Sequence, residues 1–426
     1  MGTAVSEPSS PLKVADFRRL VGTRFLASFA TLSMVVLIGY QTYDVARSDY
    51  GMDRSEAAFQ LGLLGLAQFI PLLLLTPVAG IAADRFDRRK VVFFANSIDG
   101  FIALSLAILT LEDALNLPLL FTLAVLHGTA RVFNGPALSS IAPNVVPPRL
   151  LPQAIALSSS FWQVAAVVGP AAGGLLFAVH PAMPHFLSAG MLVVSGLLII
   201  RIRPVKALHA DGPAHPLRQI IEGGKFVVGN RFLLGCITLD LFAVLLGGAT
   251  AMLPVFARDI LMVGPEGLGI MRGAPAVGAA GMGIWLSFRP IENQVGPKML
   301  WAVVIFGVAT IGFALARDFA LALLFLGILG AADMVSVFIR NSLVQLRTPD
   351  DKRGRVSSIS GLAVSASNEL GEMQSGLAAA LLGATGAVVF GGAGAIVVTA
   401  IWAWIFPELR RVKTFEPHIP GQESKP

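Results

Sequence analysis

Charge is what this sequence has least of. Only 14% of its 426 residues are Asp, Glu, Lys or Arg, while 55% are hydrophobic and the mean hydropathy is +0.73. Soluble globular domains carry about 25% charged residues, so a water-soluble fold would lack the polar side chains to cover its surface. Cysteine is nearly absent: Cys236 stands alone, which excludes an intrachain disulfide and leaves the redox compartment open. The six histidines are scattered, with no H-E-x-x-H zinc motif, and no G-x-S-x-G hydrolase elbow occurs. A membrane-embedded enzyme would therefore have no catalytic constellation. The G-x-x-x-x-G-K-[ST] phosphate loop is also missing, so ATP drive would need another subunit. No apolar core precedes the basic residues of "MGTAVSEPSSPLKVADFRRL", so the N-terminus does not read as a cleavable signal peptide.

What the chain has instead is a series of apolar runs of about 20 residues, the length of a helix that crosses a bilayer. Read against their breakers, they give twelve spans: roughly 22–45, 57–80, 90–110, 118–141, 152–179, 184–202, 231–257, 266–288, 299–316, 319–345, 356–382 and 385–406. The expected fold is an all-α membrane protein, with twelve transmembrane helices in two pseudo-symmetric six-helix bundles, 22–202 and 231–406. Tails occupy 1–21 and 407–426, and the linker 203–230 ends in a pattern that fits an amphipathic helix on the membrane surface. Forty-four glycines and 26 prolines suit helices in lipid, where neighbours re-satisfy a distorted backbone.

Connections of one parity contain only Arg47, Arg54, Arg258 and Arg317, and the other parity and both tails hold the remaining loop cations. The positive-inside rule makes that second set, and both termini, cytoplasmic. The net charge of +6 is this bias summed over loops, and a nucleic-acid partner is not needed to explain it.

The halves echo each other. "RFLASFATL" (Arg24–Leu32) opens span 1 and "RFLLGCITL" (Arg231–Leu239) opens span 7. One fixed shift pairs Gly128 with Gly330, Pro147 with Pro349, Gly169 with Gly371 and Gly174 with Gly376. Two similarly oriented halves are a transporter signature, with the site at the bilayer midplane.

The densest charge cluster, "GIAADRFDRRK" (Gly80–Lys90), lies between two very apolar spans. Its cations fit a loop held inside by charge. They do not account for Asp84 at its lipid-proximal end, which suits a helix N-terminus or a pair with the neighbouring arginines. Gly80, Asp84, Arg85, Arg88 and Arg89 resemble the G-x-x-x-D-R-x-x-R-R signature of the major facilitator superfamily. "GPAAGG" (Gly169–Gly174) is similar to the antiporter motif of that superfamily, and Arg131 in "ARVFNGPA" to its span-4 arginine motif. "TPDDKRGRVSS" (Thr348–Ser358) and "HPLRQIIEGGKFV" resemble its enterobactin-exporter-like branch of bacterial efflux proteins. The second half departs: Ser287 and Phe288 in "GIWLSFR" stand where Asp and Arg would fall, and span 11 has Glu372 where span 5 has Pro170.

The resemblance implies a secondary active transporter working by alternating access in a bacterial inner membrane, a monomer as transport unit, exporting a small organic molecule such as a siderophore or amphiphilic drug. It implies no cofactor beyond a proton gradient as energy source. A metabolite importer or facilitator on the same scaffold is the alternative, and a non-transporting sensor a more remote one. The loop signature would latch the halves on the cytoplasmic side. Gly169, Pro170, Gly173 and Gly174 would either pack helices closely or bend one where the halves meet.

A charge at the bilayer centre costs at least ~2.5–3.5 kcal/mol, so it faces a cavity, finds a partner or titrates. Arg131 lies mid-span 4 and the repeat puts Asp333 at matching depth in span 10, where the two are expected to face one another across the pseudo-twofold axis. Asp333, Asp240, Glu369 and Glu372, in that order, are the proton-coupling candidates, because burial favours the neutral form of a carboxyl. Asp99, Arg272 and Arg340 read as groups bound to neighbouring backbone. His127, one turn from Arg131, reads as a structural hydrogen bond or a proton relay. Tyr40, Gln41, Tyr43 and Asp44, with Trp162 and Gln163, are substrate-lining candidates, and Trp402 and Trp404 read as interfacial anchors. If the loop signature is a latch, Asp84→Asn lowers transport without lowering membrane insertion. Wild-type transport by a correctly inserted variant, measured in vesicles, would refute it.

Overall fold

Hydrocarbon leaves a backbone polar group no partner but the protein, so a long apolar run settles into a helix. A computed structural model of the protein describes residues 10–204 and 216–415, and all regular structure among them is helical. Parts of the expected tails and linker (1–9, 205–215 and 416–426) and the side chain of Asp84 lie outside the described residues.

In chain order the helices are α1 (Ala15–Ser48), α2 (Arg54–Arg85), α3 (Arg88–Leu111), α4 (Leu117–Ser139), the short α5 (Ala142–Val145), α6 (Leu151–Val179) and α7 (Met183–Ile200). They continue as α8 (Pro216–Gly229), α9 (Arg231–Leu246), α10 (Leu253–Val255), α11 (Gly264–Phe288), α12 (Val295–Leu315), α13 (Phe319–Leu346), α14 (Asp350–Ile405) and α15 (Pro407–Arg411). Among the described residues, ten segments are long and apolar enough to cross a membrane. The last, Lys352–Ile405, runs through Gly383, whose φ of 72° and ψ of 164° interrupt the helix. Only glycine adopts that backbone without a Cβ clash.

The expected span 231–257 is not one helix. It breaks at Gly247 and Gly248, then continues through a 3-10 turn (Ala249–Met252), α10 and a π turn (Phe256–Ile260). The Gly248 carbonyl freed by the break accepts a hydrogen bond from Ser375 Oγ at 3.2 Å. Broken backbone at membrane depth persists where protein covers it.

The chain forms two compact units. One comprises Met1–Tyr50, Ala67–Pro213 and Val263–Gly273, and the other Gly51–Leu66, Ala214–Met262 and Ala274–Pro426. The unit boundary therefore falls inside α2 and inside α11. In the first unit α1 packs on α6 and α7, and α3 on α7 and α4, around Phe17, Leu20, Val92, Ile141 and Ile199. In the second, α12 packs on α13 and α14, and α14 on α9, around Leu233, Cys236, Met299, Ile339 and Leu343. The α8 helix lies on α14, where Arg355 pairs with Glu222 at 3.0 Å. Large apolar side chains such as Phe101, Leu324, Leu381 and Trp404 point outward, as a lipid-facing surface requires.

The sequence repeat reappears as equivalent contacts inside the two units. Gly128 of α4 meets the Gln68 carbonyl of α2, and Gly330 of α13 meets the Pro275 carbonyl of α11. Gly169 of α6 lies on the Phe29 carbonyl of α1, and Gly371 of α14 on the Val244 and Leu245 carbonyls of α9. Gly174 opposes Gly269 of α11, while Gly376 opposes Gly62 of α2. The same shift relates two N-caps that sequence reading missed. Asn116 accepts from Leu119 N, and Asp318 from Leu321 N, both at 3.0 Å.

At Gly169, Gly174, Gly330 and Gly376 these contacts leave no room for a side chain. A Cβ at Gly330 would collide with the backbone of Pro275, whereas one at Gly327, a turn earlier on α13, would meet nothing within 4 Å. Gly330→Ala should therefore destabilise the protein by about 1–3 kcal/mol, the usual effect of overpacking. Gly327→Ala should be neutral or slightly stabilising through helix propensity. Thermal unfolding in detergent checks both, and equal midpoints for the two variants would contradict the assignment.

Candidate functional site

The α2–α3 loop shows how the charged signature is built. Arg88 is buried, and donates from Nε to the Ala83 carbonyl at 3.2 Å and from Nη1 to the Ser140 carbonyl at 2.8 Å. Arg89 reaches the Ile202 carbonyl at 2.5 Å, just past the end of α7. These cations thus sit where helix C-termini leave carbonyls unpaired and the dipole favours positive charge. The acid that caps α3 is Asp87, not Asp84. Its Oδ1 accepts from Arg89 N at 3.0 Å, and its Oδ2 lies 2.6 Å from Arg89 Nη2. Burial resists ionisation of Asp87, but the hydrogen bonds from Arg89 and the charges of Arg89 and Lys90 outweigh it and hold the carboxyl below its ordinary range. The five-residue signature hides this, because Asp87 falls at one of its unspecified positions. Arg85 is exposed, and a Cβ on Gly80 would meet nothing within 4 Å.

The glycine motif of α6 is a close-packing surface. A Cβ on Gly169 would stand 2.7 Å from the Phe29 carbonyl oxygen, and one on Gly173 would strike Ser33. Pro170, between them, is buried within the helix. Gly269 returns the contact by lying against the Pro170 and Ala171 carbonyls.

The charged residues at depth fall into separate clusters. In the second unit Asp240 of α9 forms a buried ion pair with Arg340 of α13, which sequence reading had assigned to backbone. Asp240, Ala243, Val244, Val303, Phe306, Asp333 and Ser336 line a cavity of about 10 Å³, the size of one water molecule. Asp333 shares that cavity with a carboxylate already neutralised by an arginine, and has no hydrogen-bonding or ionic partner of its own among the described residues. The cavity adjoins the α9 break, since Phe306 also packs on Gly247. Removing one member of a buried ion pair leaves an uncompensated charge, so Asp240 and Arg340 fix α9 against α13. Glu369 and Glu372 are half-buried on α14 where its backbone passes Gly65 of α2.

In the first unit Arg131 Nη1 donates to Gln68 Oε1 at 3.4 Å. Gln41 is buried, donating to Thr110 Oγ1 at 2.9 Å with its Oε1 3.0 Å from His185 Nε2. Tyr40 is buried against Phe177, ring centroids 5.6 Å apart, and Tyr43 is fully enclosed. Asp44 and Gln163 are half-buried, and Trp162 is 42% exposed. Of the two tryptophans read as anchors, Trp404 faces outward. Trp402 turns inward, donating to Thr238 Oγ1 at 2.9 Å and packing at an inclined angle against Phe242. Spacing along one helix shows which residues share a face; it does not show which neighbouring helix that face meets.

Comparison with known proteins agrees with this architecture. The chain is 24% identical to the enterobactin exporter EntS of Escherichia coli O1:K1 over 413 residues, covering 94% of this chain and 95% of that one. It is 25% identical to the enterobactin exporter EntS of Shigella boydii serotype 18, with the same coverage. Among solved structures, a bacterial homolog of the human lysosomal transporter Spinster, inward-facing and occupied, superimposes with a TM-score of 0.71 at 15% identity, covering 95% of this chain and 97% of that one. A bacterial homologue of the iron transporter ferroportin, inward-facing, gives 0.65 at 18%, covering 92% and 99%. The sequence pattern that defines the Major Facilitator Superfamily matches residues 23–372, and the chain belongs to that superfamily of membrane transporters.

Proposed function

We propose that the protein is a proton-driven exporter of a small organic molecule, of siderophore or similar amphiphilic chemistry, in a bacterial inner membrane with both termini cytoplasmic. The relatives named as enterobactin exporters support the direction and substrate class. The Lys/Arg bias of the loops supports the orientation. Twelve spans in two six-helix bundles follow when α11 is added to the ten segments and α14 is divided at Gly383. The glycine contacts repeated in both units favour the same duplicated plan. We keep Arg131 as the charge on the substrate route and the exposed loop arginine Arg85, with Asp84, as the latch.

The observation that carries the reading is Asp333: an acid inside a membrane helix, in a water-sized cavity, beside a carboxylate whose charge Arg340 already neutralises. An unpaired intramembrane acid is a functional group by default. Loading and releasing a proton there changes the net charge of the α9–α13 contact, which the Gly247–Gly248 break leaves deformable. Discontinuous helices at the midplane are where transporters of this kind place their sites.

The test uses inverted vesicles and labelled enterobactin as probe. A pH gradient, acid inside, should drive probe accumulation by the wild type. Asp333→Asn should reduce accumulation to the level seen with the gradient collapsed, while probe exchange at zero gradient continues. Accumulation by the wild type that ignores the gradient would refute proton coupling, and gradient-driven accumulation by the variant would remove Asp333 from it.

A further inference from the structure

The first unit encloses an acid–base pair that none of these roles uses. Asp99 on α3 and His127 on α4 are both fully buried, and Asp99 Oδ1 lies 2.5 Å from His127 Nδ1. Thr31 of α1 donates to the other carboxylate oxygen, Oδ2, at 3.3 Å. The remaining ring nitrogen, His127 Nε2, is buried and has no hydrogen-bond partner among the described residues. Asp99 therefore binds His127, not backbone as the sequence suggested.

A buried polar atom without a partner is disfavoured, and of the two imidazole nitrogens so placed among the described residues, His185 Nδ1 and His127 Nε2, only the latter belongs to a ring held by a carboxylate. Here the carboxylate at Nδ1 fixes the hydrogen on that nitrogen and leaves the Nε2 lone pair as an open proton acceptor. A proton added at Nε2 converts a pair of net charge −1 into an imidazolium–carboxylate pair of net charge zero. No bond other than N–H forms or breaks.

The position of the pair gives that proton something to act on. Arg131 lies one turn further along α4, about 6 Å away between Cβ atoms, with its guanidinium on Gln68. Several charged or titratable groups on α1, α3 and α7 are engaged elsewhere. On α1, Arg24 donates to Ser158. On α7, His185 is bound to Gln41. On α3, Arg88 and Arg89 hold carbonyls at the start of the helix, where Lys90 also lies. Arg131 is thus the nearest charge along the helix that a protonated His127 would repel.

We propose that Asp99 and His127 form a second proton-binding site, separate from Asp333, that works by shifting Arg131. The inference rests on the proton-driven reading above. It predicts that substrate binding releases a proton from each of the two units. Purified protein in detergent and weak buffer, with a pH-sensitive dye, should release protons when enterobactin binds. His127→Asn retains an amide that can still bond Asp99 but has no group to titrate, and should release one proton fewer per bound probe. The loss should add to that of Asp333→Asn. An unchanged count in His127→Asn overturns the inference while leaving proton coupling intact, and no release by the wild type overturns both. Should the variant not fold, or the probe not bind, ¹⁵N-imidazole spectra of the wild type decide. A His127 Nε2 that alternates between bare and protonated as pH is varied supports the site, and one protonation state throughout overturns it.

Discussion

Hydrocarbon supplies no hydrogen bonds, and every polar group carried into it must therefore find a partner inside the protein. Hydroxyls on the helices meet this locally. Thr42, Ser97, Ser105, Thr129, Thr310 and Thr399 each donate to the carbonyl four residues back on their own helix. Longer polar groups reach between helices, as Asn96 does in donating to Ser195 Oγ while accepting from Asn134. Once such pairings are formed, rotating one helix about its axis breaks several together. This requirement, more than apolar packing, sets which face each helix turns inward, because lipid is as apolar as a leucine and does not drive helices together.

The same constraint explains what the sequence disclosed. Periodic apolarity and Lys/Arg bias are properties of single segments, so the spans were readable one at a time. The repeat was readable because glycines recur where backbones touch, and Gly128, Gly169 and Gly174 do meet partners equivalent to those of Gly330, Gly371 and Gly376. Pairing between helices was not readable. Asp99 and His127 are 28 positions apart, and Asp240 and Arg340 are further apart still, with nothing in either local pattern to join them. Gln41 looked like cavity lining because an amide near a span end has two uses, and only the adjacency of Thr110 and His185 shows which one applies. The break in α9 was hidden because Gly247-Gly248 sits in an apolar run that a continuous helix would also tolerate.

The two units share a backbone plan but not a set of polar side chains. Repeat-matched positions 127 and 329 hold histidine and leucine, and positions 131 and 333 hold arginine and aspartate. The glycines and caps specify how helices stack, and any change in them is felt across a whole contact. The ionisable residues sit within that stack and can be replaced without moving it, provided their partners change too. The matched glycine contacts thus recur while the ionisable side chains at matched positions differ.

That divergence has a consequence for charge. The Asp240–Arg340 pair is internally neutral, so an ionised Asp333 beside it adds a charge that the pair does not balance. In the first unit the proposed proton site, Asp99 with His127, lies one turn from Arg131. In the reading proposed above, each unit sets a proton-binding group beside one that keeps its charge: Asp333 beside the Asp240–Arg340 pair, and Asp99 with His127 beside Arg131. A cycle that moves protons needs groups whose charge can change inside lipid without leaving a bare ion there. At Asp333 a proton would bring the local charge to zero, whereas at the Asp99–His127 pair it would neutralise the pair and leave Arg131, held by Gln68, to carry the change.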